Sequence, residues 1–390
     1  MEFDFNEDQK ALREALREFL DRHAGSMAVR AAALDGDGFE RGAWERIVGE
    51  MELTSLAIPA ELGGTGASFV EVGIALEELG RTLLPVPYLA TVCAAAAAGE
   101  GEAAAPLLER IVAGEAVAVT LAETAGGSGD GLQASGDDGS LTVSGTASHV
   151  LDAPHASAFV CAVELDGEPA LVAVDRDADG VEVTALATLD QTRRQGELRL
   201  DGAPATLLTP PGEGAAALAR ARDVLSVALA LEAVGAAARC LEITVEYLKE
   251  RVQFGKPIGS FQALKHRCAD LAARLEAAKS TAYYAGWAVD GAPEELPLLG
   301  PLARAVAGDA FLAVAAESIQ LHGGIGFTWE HDAHLYFKRA KSTDLLGGGS
   351  RAQRRLIATR AGITPAAPDS AVPFPQYVGK RNSGTQEVAG

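Results

Sequence analysis

The stretch R-V-Q-F-G-K-P-I-G-S-F-Q, residues 251–262, decides the fold of this 390-residue chain. Gly255 and Pro257 interrupt the helical periodicity on either side of it, so the stretch predicts a tight connection between two long helices. A second stretch, Q-L-H-G-G-I-G-F-T-W-E at 320–330, closes another helical segment. A helix C-cap explains one glycine there but not three, so we expect the backbone to approach an anionic ligand closely.

Working outward, the remaining sequence divides by periodicity. Residues 1–115 are predicted to be helical, with Asn6 and Gln9 forming the N-cap of the first helix. From 116 to about 208 the hydrophobic period is two, which predicts an antiparallel sheet or small barrel. Helical periodicity then returns at 215–250, 262–290, 298–321 and 350–360. The expected organisation is α+β, and the order of elements excludes a doubly wound nucleotide-binding fold. Its parts are an N-terminal helical domain (1–115), a middle β domain (116–212), a C-terminal four-helix bundle (213–362) and a flexible tail (363–390).

Composition narrows the class of function. The formal net charge is −21, which disfavours nucleic acid and anionic membranes as partners. We expect no apolar run that approaches the ~20 residues needed to span a bilayer, and the acidic N-terminus is unlike a signal peptide. The cysteines lack metal-ligand spacing, so we expect no metal site and free thiols in a reducing cytoplasm. They are Cys93, Cys161, Cys240 and Cys268.

Both quoted stretches resemble the FAD-clamping motifs of the acyl-CoA dehydrogenase family. The first fits R-x-Q-F-G-x-P-I followed by F-Q, and the second fits Q-x-x-G-G-x-G-[FY]-x-x-E. The resemblance extends from about residue 5 to residue 362. It implies FAD held largely by a neighbouring subunit, an acyl-CoA substrate and an electron-transfer flavoprotein as electron acceptor. The cofactor-binding residues that it implies in these stretches are Arg251, Gln253, Phe254, Gln262, Gln320, Gly323, Gly324 and Gly326.

The middle domain departs from the family pattern. V-T-L-A-E-T-A-G-G-S-G-D at 119–130 is similar to the family's flavin and substrate strand, and it places Ser128 at the cofactor. G-T-A-S-H-V-L-D-A at 145–153 stands where the family has G-x-K-x-W-I-[TS]-N. His149 therefore replaces the Trp that packs on the flavin, and Leu151 replaces a hydroxyl residue near its reactive edge. An imidazole can still stack on the flavin, whereas Leu151 offers no hydrogen bond.

The loop K-S-T-D-L-L-G-G-G-S at 341–350 lacks the expected catalytic base. In the family this loop reads A-K-x-x-x-I-Y-E-G-T-S, and alignment of its ends puts Gly347 at the position of the Glu. Some members carry the Glu on the preceding long helix, where this chain has Leu225. Removal of an α-proton from a thioester needs such a base. Asp344, Asp152 and Asp223 remain as substitutes, although each is first interpreted as a surface or capping residue.

This combination is similar to bacterial two-subunit acyl-CoA dehydrogenases, notably those of steroid side-chain breakdown. In these, one subunit keeps the Glu, the other has lost it, and FAD lies across their interface. The leading hypothesis is thus a subunit without a base that needs a homologous, Glu-bearing partner to dehydrogenate an acyl-CoA. Two alternatives stay open. One is a homotetrameric flavoenzyme with altered chemistry, such as an oxidase or monooxygenase, and the other is a non-catalytic scaffold.

Overall fold

The computed structural model describes residues 5–121, 131–136, 139–210 and 212–363. Ser128 and the predicted tail, apart from its first residue, lie outside the described residues. Within the described residues the α+β organisation is confirmed, since helices precede and follow a single large sheet.

Helices form the N-terminal part of the molecule. The first of them begins at Asn6, whose side chain accepts from the Gln9 amide while the Gln9 side chain accepts from the Asn6 amide. This reciprocal pair satisfies two backbone donors at the helix start. The helices are α1 (Glu7–His23), α2 (Ser26–Arg30), α3 (Arg41–Gly49), α4 (Phe69–Thr82), α5 (Tyr88–Ala98) and α6 (Ala105–Val112).

The middle part is a mixed sheet. Its strands are β1 (Val117–Thr120), β2 (Gly131–Ser135), β3 (Thr142–Leu151), β4 (Ala158–Leu165), β5 (Glu168–Asp175), β6 (Val181–Ala185), β7 (Gln195–Pro204) and β8 (Thr206–Leu207). They lie in the order β6-β7-β3-β2-β4-β5-β8, and β1 also pairs with β4. The prediction of an antiparallel sheet is wrong at one point, because β1 and β2 both run parallel to β4 and share its edge.

Long helices form the C-terminal part. They are α7 (Gly214–Glu250), α8 (Gln262–Gly291), α9 (Leu296–His322), α10 (Ala333–Leu345) and α11 (Gly349–Arg360), and a short hairpin of β9 (Val252–Gln253) and β10 (Lys256–Pro257) connects α7 to α8. The sequence did not predict α10. The C-terminal ends of α7 and α9 lie side by side, since the Thr244 and Ser318 hydroxyls are 2.8 Å apart and the Tyr247 and His322 rings 4.6 Å apart.

Two of these helices correct the expectation about apolar runs. The helix Gly214–Glu250 and the segment Leu296–Phe327 are long and apolar enough to cross a bilayer by length and composition alone. Both lie in the helical core instead, and 83% of the most apolar window of α7 is buried within the molecule. Length and hydropathy therefore reflect a packed bundle here.

The helices of the two helical parts approach closely through glycines. A Cβ on Gly235 of α7 would lie 1.9 Å from the Glu77 carbonyl oxygen of α4, and one on Gly80 would lie 2.2 Å from the Glu232 carbonyl oxygen. Only a residue without a side chain permits backbones to pack so tightly. This contact fixes the N-terminal helices on α7 and so forms one wall of the molecule.

Candidate functional site

A cleft of about 730 Å³, counted to its open mouth, lies between the sheet and the C-terminal helices. Strands β1, β2 and β3 form its floor, while α7 and the end of α10 contribute leucines. Most of its lining is apolar, as in many sites for organic cofactors. Its lining includes Thr146, Ala147, His149, Leu151, Leu225 and Leu346.

Of the two positions at which a base was sought, Leu225 is in the lining of this cleft and Gly347 is next to a lining residue. Leu225 lines it and is 9% exposed, and Leu346, the neighbour of Gly347, lines it from the other side. No Asp or Glu stands among the described residues of the lining. His149 is the one ionisable side chain in that described set. The cleft therefore lacks a carboxylate base in the part of the chain that the structure describes.

The three substitute aspartates lie elsewhere. Asp223 is buried, its pKa is raised by that burial, and its Oδ1 accepts from Arg360 Nη1 at 2.6 Å. Asp152 follows the Leu151 side chain of the cleft floor, and burial raises its pKa to about 7. Asp344 is partly buried at the end of α10. None of the three is in the described lining of the cleft, so none is placed to act as a base there.

The loop around Gly347 has a backbone suited to glycine. Gly347 has φ +68° and ψ +19°, and its carbonyl accepts from Gln353 Nε2 at 2.6 Å. A Cβ at this position would meet only that nitrogen within 4 Å, at 3.8 Å. There is thus room for a side chain, but the left-handed backbone is strained for any residue that carries one.

His149, which the resemblance aligns with the family's Trp, lines the cleft. It is exposed, has φ +59°, and its Nδ1 is 2.9 Å from Gln195 Oε1. Because an amide oxygen only accepts, Nδ1 must carry the proton in this contact. The neighbouring Leu151 is 6% exposed and supplies only apolar surface. A flavin ring on this floor would therefore contact the imidazole of His149 and the hydrocarbon side chain of Leu151.

The structure brings the residues of the predicted FAD clamp together at one end of the helical bundle. Arg251 caps α7, and its carbonyl accepts from the Ile258 amide at 2.8 Å, which closes the connecting turn. Phe254 at the tip of the turn is 90% exposed and has φ +55°. Gln262 begins α8 next to this turn, and the packing of α7 on α9 places Gln320 and the glycine turn nearby. The remaining predicted residues of the group are Gln253, Gly323, Gly324 and Gly326.

Most of these clamp residues are exposed to solvent. Arg251, Gln262, Gln320, Gly323 and Gly324 all lie on the surface, whereas Gly326 is buried. A Cβ on Gly323 or Gly324 would meet nothing within 4 Å. Accessible backbone and an exposed guanidinium of this kind suit a diphosphate. The described chain thus offers a surface that fits the phosphates of FAD, while leaving them uncovered.

The clamp and the cleft lie far apart in one chain. Leu225 and Glu250 are both in α7, and a continuous helix rises ~1.5 Å per residue, so about 38 Å separates them along the axis. One dinucleotide cannot reach from a cleft beside Leu225 to the turn after Glu250 of the same chain. A flavin in the cleft would need the clamp of another copy or of a related chain.

A buried ionic cluster lies at α7 and α10, the two helices that contribute leucines to the cleft, and the sequence did not predict it. Arg339 of α10 binds Asp190 at 2.9 Å and Glu232 of α7 at 3.0 Å. Arg193 also pairs with Glu232 and donates to the Thr343 hydroxyl at 3.1 Å. The cluster joins the connection between β6 and β7 to α7 and α10. Its sequence signal is Glu232, an acid inside the apolar run V-A-L-A-L-E-A-V.

Arg304 performs a similar role under the loop that lacks the base. It is 1% exposed, and its Nη2 donates to the Thr343 and Leu346 carbonyls, the latter at 3.0 Å. A guanidinium at the end of α10 meets the free carbonyls and the negative end of the helix dipole. Leu346 is thereby held in the wall of the cleft.

Family models match most of the chain. The N-terminal domain of acyl-CoA dehydrogenase matches residues 6–115, and the C-terminal domain matches residues 212–362. Acyl-CoA dehydrogenase IpdE2 of Mycobacterium tuberculosis is 36% identical over 351 residues, which cover 90% of this chain and 96% of that protein. Acyl-CoA dehydrogenase FadE34 of the same organism is 35% identical over 92% of this chain, but over 48% of its own length.

Solved structures agree with these relatives. A chain of a variant of the Tcur3481-Tcur3483 steroid ACAD is 32% identical with a TM-score of 0.83, covering 91% of this chain and 99% of that one. A chain of the ChsE4-ChsE5 complex from Mycobacterium tuberculosis is 30% identical with a TM-score of 0.84, covering 94% and 100%. On the matched domains, the shared fold and these identities, the chain belongs to the acyl-CoA dehydrogenase family, whose members are FAD-binding flavoproteins.

Proposed function

We propose that this chain is the subunit without a catalytic base in a two-subunit acyl-CoA dehydrogenase. It lends its exposed clamp to an FAD whose flavin ring lies in the cleft of a homologous partner. That partner supplies the Glu that removes the α-proton of the acyl-CoA. The reduced flavin then passes its electrons to an electron-transfer flavoprotein. We also place the complex in the cytoplasm, as the cysteine usage suggests.

The separation of clamp and cleft carries the proposal. About 38 Å of α7 lies between Leu225 and the end of the helix, so the clamp serves a cofactor of another chain. The clamp is intact by residue type, and Arg251, Gln262, Gly323 and Gly324 are accessible. The cleft of this chain, by contrast, has Leu225 and Leu346 where a base would be useful. A chain with an intact clamp and, far from it, a cleft without a base fits a supporting subunit.

The substrate class rests on the relatives. A neighbour of known structure is described as a steroid ACAD, and another is a complex of two different chains. We infer a CoA ester with a bulky side chain, of the steroid type, as the substrate of the complex. No described polar side chain in the cleft selects a particular acyl group.

The cofactor clamp is tested by the substitution Arg251→Ala in the complex with a co-expressed Glu-bearing homologue. Loss of a charge-assisted bidentate contact is worth about 1.5–3 kcal/mol, so FAD affinity should fall at least about tenfold while the fold persists. Flavin absorbance per complex measures the bound FAD, and a thermal melt shows whether the fold persists. Arg274→Ala is the matched control, because Arg274 is an exposed arginine of α8 outside the clamp. Unchanged FAD binding in Arg251→Ala would remove the assignment.

The missing base is tested with the wild-type chain. The chain is made alone and assayed with FAD, a panel of short, long and steroid CoA esters and an electron acceptor. Its turnover should be ~10²–10⁴-fold slower than that of the complex, because a positioned general base usually accelerates a reaction by that factor. Vigorous formation of 2-enoyl-CoA by the chain alone would favour a self-sufficient homotetramer. Absence of flavin with and without the partner would favour a scaffold.

A further inference from the structure

A second cavity lies between the N-terminal helices and the first turns of α7. It measures about 1550 Å³ counted to its open mouth, and the C-terminal half of α5, α6 and residues 53–59 form much of its wall. It shares none of its described lining residues with the cleft between sheet and helices. A ligand bound there would therefore not compete with flavin or thioester for the cleft.

An alanine run leaves this space open. Residues 94–98 of α5 are all alanine, and Ala95 and Ala96 remain half-buried while the first seven residues of the helix are buried. Methyl side chains cannot reach the opposite wall. That wall is apolar and well packed, with Ile58 and Leu108 each 2% exposed. Open space with apolar walls takes up hydrocarbon in preference to water.

Charges at the mouth restrict the ligand further. The carboxylates of Glu100, Glu213 and Asp290 stand at the rim with one guanidinium, that of Arg220. Asp290 already accepts from the Phe69 amide at 2.6 Å, and Arg220 donates to the Val289 carbonyl at 3.5 Å. Negative charge thus exceeds positive charge at the entrance. A carboxylate or a CoA phosphate would be repelled there.

One polar group of the lining lacks a partner. Thr54 is 5% exposed, and its hydroxyl has no hydrogen bond among the described residues. Buried hydroxyls are normally hydrogen-bonded, and one that is not destabilises the fold. The hydroxyl is covered in this structure, so a rotation of the Thr54 side chain toward the cavity would let a ligand oxygen complete its bonding. Thr91 and Thr209 of the same lining differ, because each accepts from a strand amide.

We propose that this cavity binds a neutral, mainly apolar small molecule, a hydrocarbon chain or ring system with one hydroxyl or ketone oxygen bonded to Thr54. The apolar walls bind the hydrocarbon and the acidic rim excludes anions. The site is independent of the proposed dehydrogenase role, since it lies outside the cleft and the clamp.

The test is calorimetric titration of the full chain with 1-decanol and with decanoate. Wild type should bind the alcohol saturably and at least about tenfold more tightly than the carboxylate of equal length. Thr54→Val, which keeps the shape and removes the hydroxyl, should weaken decanol binding about threefold to tenfold, and Thr54→Ser should restore it. Ala95→Phe should fill the cavity and abolish binding. Ala57→Trp, at an exposed position of the same lining, gives a second filled variant if the first does not fold.

Matched controls in the other cleft keep the result specific. Thr146→Val and Ala147→Phe make the same chemical changes there and should leave decanol binding as in wild type. Melting temperatures confirm that each variant is folded. The proposal is overturned if wild type binds no decanol, if decanoate binds equally well, if folded Thr54→Val binds decanol like wild type, or if the control variants cause the loss.

Discussion

At the scale of single residues, Asp152 is a carboxyl group in an unfavourable position. It has φ +53° and lies beside the cleft floor, near the Arg193 and Arg339 cluster. Burial raises its pKa to about 7, and the two guanidinium groups offset only part of that effect. The folded protein therefore keeps a proton on Asp152 between about pH 4 and pH 7 that the unfolded chain releases. Stability from this group is lost as pH rises through that window.

We expect Asp152→Asn to raise the free energy of unfolding at pH 8 by about 1–2 kcal/mol, because the partly exposed carboxylate keeps some of its hydration, and to change it little at pH 4. The amide needs no deprotonation and tolerates the left-handed backbone. Urea unfolding at both pH values measures the difference. Asp179→Asn, at an exposed position, should show no such pH dependence. An equal gain at both pH values would rule out ionisation as the cause.

Residue identity predicted the two turns that hold the proposed clamp residues, but not the lining of the cleft. Gly255, Pro257 and the glycines after Gln320 break helices whatever surrounds them, so the turns could be placed from local chemistry alone. Which side chains line the cleft depends on how α7 and α10 pack on the sheet. Leu346 and the Arg339 cluster were therefore not predictable, although Glu232 in an apolar run was a signal that something buried must pair with it.

At the scale of elements, the contact between α7 and α4 leaves no room for an added side chain. A Cβ on Gly235 would lie 1.9 Å from the Glu77 carbonyl oxygen, so Gly235→Ala must separate the two helices. We expect a loss of about 1–3 kcal/mol in the free energy of unfolding. Gly286→Ala in α8 is the matched control, because its nearest atom, Leu231 Cδ1, is at an ordinary 3.5 Å. That variant should be neutral or up to about 1 kcal/mol more stable, since alanine favours helix.

Equal losses from both alanine variants would show that helix propensity or another cause, rather than the close contact, determines the loss of stability.

The elements that the sequence predicted are those with a strong local pattern. The long helices have clear apolar periodicity, whereas α10, with the run K-R-A-K-S-T-D, does not, and β2 is only five residues long. Tertiary contacts decide elements of this kind.

The loop after α10 gives a further test at this scale. Gly347 has φ +68° with space beside it, so Gly347→Glu should fold but lose about 1–2 kcal/mol of stability from the left-handed backbone. Gly347→Asn should lose less, because Asn adopts this conformation more readily. Denaturant midpoints of the two variants measure the order. If Glu is tolerated as well as Asn, the loop takes another conformation once the glycine is replaced.

At the scale of the whole molecule, one end of the bundle carries exposed apolar side chains beside the clamp. Phe327 and Trp329 are 86% and 66% exposed, and Phe254 is 90% exposed. On a chain of net charge −21, such a patch indicates contact with another chain. Together with the distance from clamp to cleft, it predicts that flavin binding and assembly occur together in an obligate oligomer, which we expect to be a tetramer.

Phe327→Glu should therefore lower the oligomer fraction and the bound FAD in parallel, each by at least about tenfold in affinity, because a charge would be buried in the contact. Light scattering with simultaneous flavin absorbance measures both in one run on the co-expressed complex. Met27→Ser and Leu189→Ser are controls, since these side chains are 81% and 66% exposed but lie outside the patch. If the patch makes no contact with another chain, all three variants will form the oligomer to the same extent, and the prediction is wrong. A stable monomer that retains FAD would contradict the shared site directly, because the cleft and the clamp of one chain are too far apart to hold the same cofactor.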